Sequence, residues 1–188
     1  MYNELESALE NEADPLAAYD NLVKWTLQNY ANHSDSGLLE LLEESICKFK
    51  DDMRYKAGDL RFVKLWILFA NHVDRPALIY EYMLEKGIGK PYALFFEEYA
   101  EALEREGRWV CLCFIVDCIE TKTNRYVEAE TVISLGIRTQ AKPFKHLQSF
   151  QENYHARHAA GKSLPVKVSP FREVCGRSIV PFLGSQNM

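Results

Sequence analysis

Between Glu85 and Arg108 the chain reads EKGIGKPYALFFEEYAEALEREGR, a glycine-marked break followed by an amphipathic stretch and a second glycine. Gly87 and Gly89 supply the backbone freedom that closes one helix. Pro91 suits the first turn of the next, and Gly107 suits its C-terminal cap. Leu94, Phe95, Tyr99, Ala100 and Leu103 recur at the three-and-four spacing of a buried helix face, with Glu97, Glu98, Glu101, Glu104 and Arg105 on the opposite face. The spacing therefore predicts an amphipathic helix from Pro91 that stops at Gly107.

The same stretch fits half of a tetratricopeptide-type unit, in which a helix closes at a glycine and a second helix returns with small and aromatic residues against it. The returning half is late. Its aromatic, alanine, apolar and proline positions are met at Tyr126, Ala129, Ile133 and Pro143, yet Trp109 already holds the aromatic position 17 residues before Tyr126. The surplus is 110–125, VCLCFIVDCIETKTNR, where helical repeats use short connections. Three readings stand: an inserted helix or strand, a longer first helix, or a retained intron carried into the translation. The last is favoured because dense Cys, Phe, Ile and Val break the helical pattern on both sides.

Upstream, Asp14-Pro15-Leu16 offers an N-cap followed by proline at the first helical position, predicting a helix from about Pro15 to Tyr30. Leu16, Tyr19, Leu22, Val23 and Leu27 form its inner face, with Trp25 and Tyr30 beside them. Leu38, Leu41, Leu42, Ile46 and Phe49 predict a second helix starting at Asp35 or Ser36. From Asp59 onward the pattern through Trp66 to Val73 is apolar nearly all round, as a helix packed between neighbours requires. Ala77 to Lys86 is the return stroke before Gly87.

Units beginning near residues 15, 59 and 91 make an all-α chain, a divergent TPR-like right-handed α-solenoid of about three helix pairs. A delayed return helix is expected over Glu128–Thr139 and a capping helix over Pro143–His158. The organisation read from this is a short acidic segment (1–13), a repeat domain (14–160) and a disordered tail (161–188). Trp25, Trp66, Gly87, Gly89, Tyr99 and Gly107 are the structural markers of the repeat.

Twenty-two Lys and Arg against 27 Asp and Glu, a net charge of −5, leave no basic stripe for nucleic acid. No apolar run approaches the ~20 residues that span a bilayer, and the acidic start is unlike a secretory signal, so an intracellular protein is expected. Five cysteines, an odd number, suit reduced thiols, and Cys111, Cys113 and Cys118 lack a fourth ligand at zinc spacing. Metals and cofactors are therefore not expected. His146, His155 and His158 suit the surface of the terminal helix, and the glutamates 97–104 suit a solvated face, so no catalytic group is assigned.

Helical repeats instead present rows of side chains to a peptide. The register assigns Lys64, Ile67 and Asn71 to one row, and Leu94, Glu97, Glu101 and Glu104 to the next. Ile67 is either an apolar anchor for a ligand or a core residue. The acidic row would select a basic flank.

Several segments carry a family resemblance: DPL (14–16), KWTLQNY (24–30), RFVKLW (61–66), KGIG (86–89), ALFFEEYA (93–100), LGI (135–137) and AKPFKHL (141–147). In this order, over about Asp14 to Arg157, the chain resembles the amino-terminal region of the Bub family of spindle-checkpoint kinases and their BubR and Mad relatives. The resemblance implies a non-catalytic TPR-like domain that docks a checkpoint protein onto a kinetochore scaffold protein through a short helical peptide, with other checkpoint proteins as further partners. It also implies a nuclear and kinetochore location in mitosis, and a cytoplasmic or nuclear one otherwise. The chain has no Lys-Glu-Asn box, which favours the kinase branch over the anaphase-inhibitor branch, and no kinase domain. A truncated checkpoint kinase and a TPR-like adaptor unrelated to mitosis are the alternatives.

Overall fold

The computed structural model describes residues 14–30, 37–56, 58–110, 118–162 and 164. The expectations for 1–13 and for nearly all of the tail lie outside these residues. The described chain is all-α. It forms two compact units that divide between Asp74 and Arg75.

The first unit holds α1 (Pro15–Tyr30), α2 (Leu38–Phe49), the single turn α3 (Met53–Lys56) and α4 (Leu60–Ala70). Helices α1, α2 and α4 pack against one another. Their apolar stripes supply the core: Leu16, Tyr19 and Val23; Leu38, Leu42 and Ile46; Phe62, Val63 and Trp66, all at most 2% exposed. Seven of the eleven α4 residues are buried, as its all-round apolar pattern predicts. Tyr19, Phe49 and Tyr55 meet edge to face with centroids 5.5 and 5.2 Å apart, the geometry that ring quadrupoles favour.

Asp59 caps α4, its side chain accepting from Arg61 N at 2.8 Å. Helix α2 starts at Leu38 behind Gly37, whose φ of 66° is left-handed, rather than at Asp35 or Ser36. Trp25, read as part of the inner edge of α1, is instead 42% exposed.

The second unit holds α5 (Pro76–Lys86), α6 (Ala93–Val110), α7 (Cys118–Arg138) and α8 (Phe144–Ala159). Helix α6 is its centre, packing on α5, α7 and α8. Gly87 closes α5 in the left-handed region at φ 78°, with Gly87 N donating to Leu84 O at 3.2 Å and Ile88 N to Met83 O at 2.8 Å. This is a Schellman closure, and the buried Met83 and Ile88 are its apolar pair.

Two sequence readings are corrected here. Gly107 does not end its helix: α6 runs through it to Val110, because a lone glycine costs only about 1 kcal/mol inside a helix held by tertiary packing. The return helix starts at Cys118, ten residues before Glu128, so residues 118–125 of the surplus segment are helical. Residues 111–117 lie outside the described residues.

Tertiary contacts set the rest of the second unit. A Cβ on Gly136 would lie 2.6 Å from Phe96 Cγ and 2.8 Å from Leu147 Cδ2, so its missing side chain is what lets α6, α7 and α8 meet. The α7–α8 turn runs beside the α5–α6 turn, with Lys142 N donating to Pro91 O and Ala93 N to Lys142 O, both at 2.8 Å. The Lys142–Pro143 peptide is cis. Ala129 and Ile133 of α7 are fully buried, as the returning pattern requires.

Candidate docking surface

The sequence-derived row on α4 lies in the first unit. Lys64 is exposed and Asn71, the C-cap residue, is half-buried, its N–H reaching Ile67 O at 3.0 Å. Ile67 is 8% exposed, so it presents an edge to solvent rather than a full side chain.

The row on α6 lies in the second unit, and α8 covers much of it. Glu97 is 8% exposed instead of solvated, with Oε1 2.7 Å from His146 Nδ1. Glu104 accepts from Arg157 Nη2 at 3.1 Å and from Leu164 N at 3.2 Å. Glu101 is paired with Arg105 one turn on, and Leu94 is half-buried. Glu97 and Glu104 meet α8 because a third helix packs on α6. The period of α6 alone separates an apolar from a polar side and cannot say what covers the polar side.

Sequence reasoning missed both long-range partners. His146 was read as a surface histidine, and although it is exposed, its Nδ1 spans 49 residues to reach Glu97. Arg157 was not singled out. No local spacing could signal either, since helical side-chain rules reach only three or four residues.

The end of α8 docks through aromatic residues. Tyr154, 2% exposed, stacks on Tyr126 with centroids 5.2 Å apart and planes at 8°, and its hydroxyl donates to Tyr126 O at 3.3 Å. The His158 ring stacks on Tyr126 with centroids 3.5 Å apart, and His155 Nδ1 stands 3.3 Å from the Tyr126 hydroxyl. Burial pushes the Tyr154 and Tyr80 phenols far up, and Tyr99, buried beside Glu81, is pushed up to about 12. These phenols stay neutral and serve packing rather than proton transfer.

Among the described residues no group of three or more His, Cys, Asp or Glu could hold a metal ion. Cys111 and Cys113 lie outside those residues, as does the side chain of Cys118. No described helix is long and apolar enough to cross a membrane. The arrangement offers packed helix faces and charged edges.

An all-helical domain built from TPR-like hairpins is therefore the class that fold and surface define. A family described as Mad3/BUB1 homology region 1 matches residues 1–111, and the chain belongs to that family. The matched region is the non-catalytic amino-terminal part of these checkpoint proteins.

Over 149 residues the chain is 30% identical to the mitotic spindle checkpoint component mad3 of Schizosaccharomyces pombe, covering 78% of this chain and 42% of that protein. It is 28% identical over 167 residues to the human mitotic checkpoint serine/threonine-protein kinase BUB1 beta, covering 88% of this chain and 14% of that protein. The chain thus spans less than half the length of either relative.

Two solved structures share the fold. One is a chain of a crystal structure of the mitotic checkpoint complex, at TM-score 0.68 and 27% identity, covering 89% of this chain and 71% of that one. The other is the conserved N-terminal domain of the mitotic checkpoint component BUB1, at TM-score 0.67 and 25% identity, covering 92% and 82%.

Proposed function

We propose that the chain is a non-catalytic interaction module of the mitotic spindle assembly checkpoint that docks a Bub-type kinase, or a relative, onto a kinetochore scaffold protein through a short helical peptide. Family membership over residues 1–111 is the observation that carries this reading. The likeness to a chain of the mitotic checkpoint complex supports other checkpoint proteins as further partners. A nuclear and kinetochore location in mitosis goes with that role.

For the peptide, exposure favours Lys64 on α4 of the first unit, and Leu94, half-buried and without a charged partner, is the apolar candidate on α6 of the second. Glu97, Glu101 and Glu104 already have partners within the second unit, so they can meet a basic flank only with their remaining lone pairs. Titration of a helical scaffold peptide by calorimetry tests the reading. Lys64→Glu and Leu94→Asp should each weaken binding by about tenfold, roughly 1.4 kcal/mol, with thermal melts unchanged. Unchanged affinity in both would remove the two rows, and no binding by the folded wild type would remove the scaffold-peptide reading itself.

A further inference from the structure

At one end of the second unit the turn before α6 and the turn before α8 lie side by side, joined by the Lys142 hydrogen bonds to Pro91 and Ala93. This brings together Lys90 from one turn with Arg138, Lys142 and Lys145 from the other, all exposed. Lys90 Nζ lies over Gly87, 4.0 Å from where a Cβ would stand there. The stretch from Ile137 to His146 contains no carboxylate, and Glu85 is the one acidic residue between 85 and 92.

In a chain of net charge −5, this cluster contrasts with the three arginines of the same unit that are held by carboxylates. Arg105, Arg125 and Arg157 all pair with glutamates: Glu101, Glu106 with Glu128, and Glu104. Among the described residues, none of Lys90, Arg138, Lys142 and Lys145 has an ion pair.

Helix electrostatics explain only one of the four. Arg138 sits in the last turn of α7, where a cation complements the negative end of the helix. Lys90 precedes α6, and Lys142 and Lys145 flank the start of α8, where the helix end is positive and an anion would be favoured. Neither helix has an acidic residue in its first turn. The local helix electrostatics therefore do not account for the three lysines.

We propose that Lys90, Arg138, Lys142 and Lys145 form a second docking site that takes an acidic or phosphorylated peptide segment of a protein partner. The four cations, with the half-buried Phe144 among them, suit a short anionic segment carrying an apolar residue. A long polyanion is disfavoured, because beyond a Debye length of about 8–10 Å it meets the acidic remainder of the chain.

The test uses the full chain and fluorescence anisotropy with fluorescein-labelled peptides. One peptide alternates Glu and Ser, a second carries phosphoserine at two of the Ser positions, and a third replaces every Glu by Lys. The two acidic peptides should bind and the Lys version should not. Binding of the phosphoserine version alone assigns the site to phosphorylated partners. Binding should weaken as salt is raised from about 50 to about 300 mM. The triple charge reversal K90E/K142E/K145E should weaken binding by more than about tenfold, while K48E on α2 leaves it unchanged.

The melting temperature of the triple variant separates docking from a structural role. Carboxylates at these helix starts should hold or raise it, whereas lysines needed by the fold would lower it. If it falls, K90Q/K142Q/K145Q decides: a folded Gln variant that keeps full affinity overturns the proposal, and one that loses affinity upholds it. Equal binding by the triple variant, or binding of duplex DNA or phosphatidylserine vesicles with none of the acidic peptides, also overturns it.

Discussion

Arg61 of α4 reaches the residue that opens α1, placing Nη2 2.7 Å from Asp14 Oδ2 and, on its other side, 2.7 Å from Asp59 Oδ2. Tyr55 completes the cluster, its hydroxyl donating to Asp14 Oδ1 at 3.0 Å. One guanidinium thus ties the start of α1 to the cap of α4, joining two of the segments that carry the family resemblance, and Tyr55 adds the α3 turn through Asp14.

That cluster has a pH signature. Burial pulls the Asp14 and Asp59 carboxyls upward, but the hydrogen bonds and charge of Arg61 outweigh it and hold both below the ordinary carboxylate value. A depressed folded-state value means that stabilisation is full above the unfolded value and is lost as pH falls through the folded one. Arg61→Ala should therefore cost about 1 kcal/mol at neutral pH, a modest figure because Asp14 is 40% exposed and the pair is screened. The gap between wild type and variant in urea melts should close as pH falls below about 4, through the lowered carboxyl values. A gap independent of pH would show that Arg61 acts through packing alone.

Two glycine substitutions should fail for different reasons. Gly136→Ala forces a Cβ within 2.6 Å of the Phe96 ring and should cost about 1–3 kcal/mol by overpacking. Gly87→Ala meets nothing nearer than Lys90 Nζ at 4.0 Å, and costs about 1 kcal/mol through its φ of 78° instead. Denaturant melts order the two, and a silent Gly136→Ala would mean that α6, α7 and α8 do not converge there.

The Tyr126–Tyr154 stack is predicted to hold α8 in place. Tyr154→Ala should cost about 3–5 kcal/mol, as truncation of a buried aromatic does. Tyr154→Phe, which keeps the stack and loses one hydrogen bond, should cost about 1 kcal/mol. Equal losses would put the stabilisation in the hydroxyl.

Deleting 110–126 tests the surplus segment. The deletion removes Tyr126 from that stack and Arg125 from its pairs with Glu106 at 3.5 Å and Glu128 at 2.8 Å. The melting temperature should fall. A rise would mark the segment as foreign to the domain.

The sequence by itself determined the all-α class, most helix spans and the Gly87 closure, because helix periodicity, proline and left-handed glycine positions are properties of a few adjacent residues. It also determined the family, through segments whose order survives in the chain. It misjudged Gly107 and the start of α7, where packing along α6 and α7 outweighs one glycine and a break in the apolar period. It could not see that the α6 glutamates face His146 and Arg157, or that Lys90 and Lys142 share one end of a unit. Those pairings join residues about fifty apart, and only the packing of helices against one another decides which faces meet and which charges are left for a partner.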